Sequence, residues 1–140
     1  MKLFHLLMFV VTTMAWSWPD IGGLYISKVA NIETHINLGF SYNRFVIDED
    51  SLVSYKESEG WIGPVLGWKY MGVENGTFIL QEAPDKNFRL VPDKDPRAHR
   101  TMAYRNSTDF ILCGNNSIVF QTNCTGGVPV TIKFQNLFGV

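Results

Sequence analysis

Turn-forming clusters recur about every 8 to 14 residues along this chain, and the runs between them are short for helices. Pro84, Pro92 and Pro96 punctuate the middle, each fixing φ and removing a backbone donor. What fits between such breaks is a set of short strands. Asn75-Gly76 is the clearest break, since both residues tolerate the positive φ of a two-residue type I′ turn. Folding about it sets Val73 opposite Phe78, Met71 opposite Leu80, and Lys69 opposite Glu82, with Leu66, Trp68, Tyr70 and Ile79 on the other face.

Two further segments alternate with period two. In 32–42, Ile32, Thr34, Ile36, Leu38, Phe40 and Tyr42 share one side. In 128–135, Val128, Val130, Ile132 and Phe134 do the same. Residues 45–47, 52–55, 88–91, 101–104 and 109–113 read as brief strands, and Asp48-Glu49-Asp50-Ser51 as an acidic turn. Residues 24–32 fit a strand or helical spacing equally, and Gly22-Gly23 limits any helix there to a single turn. The expected fold is all-β, a single-domain antiparallel β-sandwich, with a small β-barrel as the alternative.

Residues 1–17 stand apart as a signal peptide. Lys2 supplies the positive start, an apolar run follows, and Thr13-Met14-Ala15 and Ala15-Trp16-Ser17 offer small-residue cleavage patterns. The run is short of the roughly 18 to 20 residues a membrane-spanning helix needs. The remaining residues, 18–140, have the length of one domain. Removing the charge of Lys2 takes the net charge from -1 to -2, which indicates neither a nucleic-acid partner nor an anionic membrane. Sequons at Asn75, Asn106, Asn115 and Asn123 fit N-glycosylation on the route through the endoplasmic reticulum to the extracellular space.

The two cysteines pose a conflict. A tight hairpin closed by Gly114-Asn115-Asn116-Ser117 puts Cys113 opposite Ile118 and carries Cys124 roughly 20 Å away. A disulfide requires Cα atoms within about 7 Å. In an oxidising compartment two free thiols are unusual. The expectation is therefore a Cys113–Cys124 bond, with 114–123 a closed loop holding a short strand.

Catalytic patterns are sparse. Gly39-Phe40-Ser41-Tyr42-Asn43 lacks the second glycine of a nucleophile elbow. Asp48, Glu49 and Asp50 lack the spacing of a calcium loop. His35 and His99 cannot make a zinc site at any familiar spacing, so no metal and no cofactor are expected. Arg97, His99, Arg100 and Arg105 form the chief basic concentration, a candidate contact or processing loop with Arg-x-x-Arg spacing. Trp61, Trp68 and Tyr70 are a candidate aromatic pocket.

Gly22-Gly23-Leu24-Tyr25-Ile26 resembles the opening of the lipocalin family, which has a glycine, then a tryptophan, then a tyrosine at that place. Leu24 occupies the tryptophan position and the family's other landmarks are not found, so no family is assigned on it. The functional expectation is a secreted glycoprotein, not an enzyme, that binds an extracellular or cell-surface protein as an immune-modulating or attachment factor. A barrel carrying a small apolar ligand is the alternative, and a secreted hydrolase without a recognisable motif comes third.

Overall fold

A computed structural model describes residues 18–94 and 99–137, so the signal-peptide segment and Arg97 lie outside the described residues. The chain forms twelve strands: β1 (Asp20–Val29), β2 (Ile32–Ser41), β3 (Arg44–Ile47), β4 (Val53–Lys56), β5 (Trp61–Pro64), β6 (Tyr70–Glu74), β7 (Thr77–Gln81), β8 (Phe88–Pro92), β9 (His99–Tyr104), β10 (Phe110–Leu112), β11 (Ile118–Val119) and β12 (Val128–Asn136). No helix among the described residues is long and apolar enough to cross a membrane.

The architecture is the barrel alternative, and the sandwich expectation is corrected. Seven antiparallel strands close on themselves in the order β1-β2-β3-β7-β11-β10-β12 and back to β1. Closure depends on β1 and β12, which pair along nearly their whole length from Gly22↔Asn136 to Val29↔Val130. Each is long enough to share its second edge between two partners. β1 gives Leu24 to Val29 to β2 and Asp20 to Gly22 to β4. β12 gives Val128 to Val130 to β10 and Lys133 to Gln135 to β9. Strands β4–β5 and β8–β9 therefore extend from the ring, and β6 flanks β7.

Four hairpin tips are two-residue turns with both φ values positive: Ala30-Asn31, Tyr42-Asn43, Asn75-Gly76 and Arg105-Asn106. This mirror-image geometry matches the right-handed strand twist, and asparagine tolerates it better than most L-residues. The β6–β7 register is the expected one at Met71↔Leu80 and Val73↔Phe78. The expected Lys69–Glu82 charge pair is not what forms, because Lys69 Nζ instead donates to Asn43 Oδ1 at 3.2 Å.

The inner face follows from register. Leu24 sits between Phe134 and Leu38, Ile26 between Ile132 and Ile36, and Phe110 beside Val130. Phe78 is fully buried, and its ring meets those of Phe45, Phe88, Tyr104, Phe110 and Phe120 in edge-on and tilted contacts. Ring pairs in such geometries add about 0.5–1.5 kcal/mol each beyond their area burial. Side chains thus occupy the barrel interior.

One open reading is settled and two local expectations are corrected. Residues 24–29 are strand throughout; a register shift between Ile26 and Lys28 breaks the alternation and makes the sequence read ambiguously. In β2 only Ile36, Leu38 and Phe40 turn toward the core, while Ile32 and Tyr42 lie at hairpin tips and are exposed. Residues 65–68 bend away from β6, so Leu66 and Trp68 leave the sheet altogether.

The cysteine conflict resolves in favour of the bond. Cys113 and Cys124 are joined with Cα atoms 5.7 Å apart. β11 is cut to two residues opposite Leu112 and Ile111, and the chain then returns so that the Gly114 N–H donates to the Thr125 carbonyl at 2.9 Å. The ring with its short internal strand is the arrangement expected for a bonded pair, and the disulfide is compatible with an extracellular location.

Candidate functional site

Two surface regions carry concentrated chemistry, and each holds one residue that the sequence singles out, His99 in the first and Trp68 in the second. The first lies on the outer wall of the barrel, around Tyr25. Alternation along β1 sends Leu24 and Ile26 inward and Tyr25 outward. Yet Tyr25 is only 7% exposed, because neighbouring outer-face side chains cover it. His35, from β2, stacks on its ring at 4.2 Å between centroids. His99, from β9, meets the ring edge-on at 5.8 Å, and its Nδ1 lies 2.7 Å from the Tyr25 hydroxyl. Lys133 is the β12 partner of Tyr25 in register.

The proton positions there follow from burial. Removal from water raises the Tyr25 pKa, with the nearby Lys133 charge opposing, so the phenol holds its proton. The phenol O–H is a donor within reach of His99 Nδ1, which accepts it in the tautomer protonated at Nε2. Accepting at Nδ1 puts the proton of a neutral imidazole on Nε2. Beside it, Lys133 Nζ donates to Asp93 Oδ2 at 2.6 Å and Thr101 Oγ1 donates to Asp93 Oδ1 at 3.2 Å. The hydrogen bond from Lys133 holds the Asp93 carboxyl below the usual carboxylate range. Tyr25, Asp93, Lys94, His99 and Lys133 together line an open hollow of ≈ 530 Å³.

The second region is apolar. Leu66 is 89% exposed, Trp68 94% and Tyr42 98%. The Leu80 N–H donates to the Asn43 carbonyl at 3.0 Å, which sets the Tyr42-Asn43 tip against β7, and the Lys69 side chain reaches Asn43 Oδ1 there. Tyr42 stands at φ 49°, in the left-handed region, which for a bulky aromatic residue is an outlier.

The basic concentration is dispersed. His99 and Arg100 sit in β9, not in a loop, and Arg100 pairs with Phe134 on one side and Pro92 on the other. The Arg100 guanidinium donates from one nitrogen, at 2.9 Å each, to Asp20 and Asn136, and lies over the rings of Phe134 (5.3 Å) and Tyr55 (5.9 Å). It clamps the β1–β12 seam to β9. The peptide bond after Arg100 lies within a paired strand, whereas proteases take segments free of such pairing. Arg105 is exposed at its turn, over the Tyr104 ring at 5.4 Å, on the rim of a ≈ 620 Å³ cleft that also includes Asn106.

The aromatic trio is divided as well. Trp61 and Tyr70 make an edge-on pair at 5.1 Å, while Trp68 stands in solvent on the bent segment. The four sequon asparagines are all exposed, Asn75 and Asn106 at hairpin tips and Asn115 and Asn123 in the disulfide ring. Gly76 packs against Thr122, so three of the four gather at one end of the barrel, around Cys113–Cys124. No protein-family model, curated protein or solved structure matches this chain.

Proposed function

We propose that this chain is a secreted, glycosylated binding protein that recognises another extracellular protein through Tyr42, Leu66 and Trp68. One observation carries the reading. A tyrosine is held in a backbone conformation that costs on the order of 1 kcal/mol or more, with its ring bare, and a bare tryptophan and leucine stand on the segment whose Lys69 reaches the same turn. The same turn geometry recurs at Ala30, Asn75 and Arg105, and Tyr42 is the aromatic residue among these first positions. Exposed tryptophan and tyrosine are the anchors that dominate protein interfaces, since each brings a large rigid surface at little entropic cost. The Asn75 sequon lies at the other end of the β6–β7 hairpin, roughly 15 Å away, so a glycan there leaves the patch open. The rings packed around Phe78 favour this surface over an internal ligand.

The test is capture from serum and solubilised cell membranes by the mature glycoprotein and by a Tyr42→Asn, Leu66→Ser, Trp68→Ser triple variant. The wild type should retain a discrete protein that the triple variant loses. Asparagine suits the left-handed backbone, so Tyr42→Asn alone should keep or raise stability by about 0.5–1 kcal/mol. Capture of the same protein by both forms would overturn the reading.

A further inference from the structure

We infer that the hollow beside Tyr25 is a binding site for an acidic sugar, a glycan residue carrying a carboxylate or sulfate. This site lies on the outer wall formed by β1, β2, β9 and β12, is built from none of the residues of the Tyr42–Trp68 patch, and does not depend on that reading. Its hydrogen-bonding set is specific. With His99 Nδ1 accepting from Tyr25, the other ring nitrogen, Nε2, is an N–H donor. Lys94 and Lys133 supply two ammonium groups around the same opening. The Asp93 carboxylate spends one oxygen on Lys133 and the other on Thr101, which offsets its charge while leaving lone pairs for sugar hydroxyls. Among the described residues, two cations against one anion make the lining net positive, and the Tyr25 and His99 rings give it apolar walls.

Cationic donors, one carboxylate acceptor and ring surfaces are together what an acidic sugar requires. Donors meet its oxyanion, the acceptor meets its hydroxyls, and the rings meet its C–H face. A bare acidic side chain would use only the first. The Tyr25 hydroxyl is a positioning group here, since it fixes which nitrogen of His99 carries the proton, while the Tyr25 ring serves as wall.

The experiment is titration of the mature glycoprotein, by calorimetry and ligand-observed NMR, with a sialyl-lactose, a galactose 6-sulfate glycoside, neutral lactose, N-acetyl-glutamate amide and inorganic sulfate. The sialylated and sulfated sugars should bind in the millimolar range or tighter, and lactose should not. Lys94→Gln, at an exposed position, should weaken binding roughly tenfold, the loss of one charge-assisted hydrogen bond. His99→Gln should do the same. Tyr25→Phe should weaken it less and alter the His99 ring-nitrogen NMR shifts, which a merely structural role would leave in place. Thermal unfolding of each variant checks that the fold persists, and Trp68→Ser should bind like the wild type. Equal binding of lactose, binding confined to the glutamate derivative or to free sulfate, no binding to any probe, or unchanged affinity in Lys94→Gln would each overturn the assignment.

Discussion

Replacing Arg100 by methionine tests whether this residue is a structural clamp. Methionine keeps most of the stem volume and removes the charge, so the loss reports the guanidinium. The wild-type side chain is 12% exposed, whereas that of Asp20 is 42% exposed. The ion pair is therefore partly screened and contributes about 0.5–1 kcal/mol. The hydrogen bond to Asn136 adds about 1 kcal/mol, and the contacts over Phe134 and Tyr55 about 0.5–1 kcal/mol each. Asp20 regains water when the arginine leaves, which returns part of the sum, so the net loss should be about 2–3 kcal/mol. For a domain of this size that lowers Tm by about 10 °C. Arg100→Lys keeps the charge but not the planar fork and should lose about half as much. Scanning calorimetry of the three proteins at one pH and salt concentration decides it. A Tm for Arg100→Met within about 2 °C of wild type would refute the clamp, because the contacts would then contribute no more than an ordinary surface substitution.

Two further perturbations bear on the core. Phe78→Ala should destabilise by about 3–5 kcal/mol, read from denaturant midpoints, because five neighbouring rings cannot all collapse into the space it leaves; a loss below about 1 kcal/mol would mean the ring is not where the core converges. Tyr104 is pushed up to about 12 by burial and by its hydrogen bond to Asp85, 2.6 Å. Its folded value lies above the unfolded one, so its contribution is full below about pH 10 and is lost as pH rises toward about 12. Near-ultraviolet phenolate absorbance should show a late-titrating tyrosine that moves earlier in Asp85→Asn.

What was legible in the sequence is what local chemistry encodes. Asn75-Gly76 permits one turn, and the apolar residues flanking it permit one register, so β6–β7 follows from the adjacent positions 70–81. Asparagine second in Ala30-Asn31, Tyr42-Asn43 and Arg105-Asn106 is a weaker version of that signal, and it was there to be read. Barrel against sandwich was beyond local pattern, because the choice rests on β1 meeting β12 across about a hundred residues. The Tyr25 site was hidden for the same reason. Residues 25, 35, 93, 99 and 133 become neighbours only when four strands align, and a tyrosine covered on the outer face of a strand looks in sequence like any exposed one. Trp68 misled in the opposite direction. Its spacing suits the hairpin face, but Pro64 and Gly67, the latter at φ 113°, turn the chain out of the sheet before β6 begins.

The pairing of β1 with β12 also sets an order of events during biosynthesis. β12 is translated after every other described strand, so a growing chain holds β1 with a bare row of amides and carbonyls until β12 has been made. Chains halted before residue 128 should self-associate through that row, and chains that include β12 should resist proteolysis.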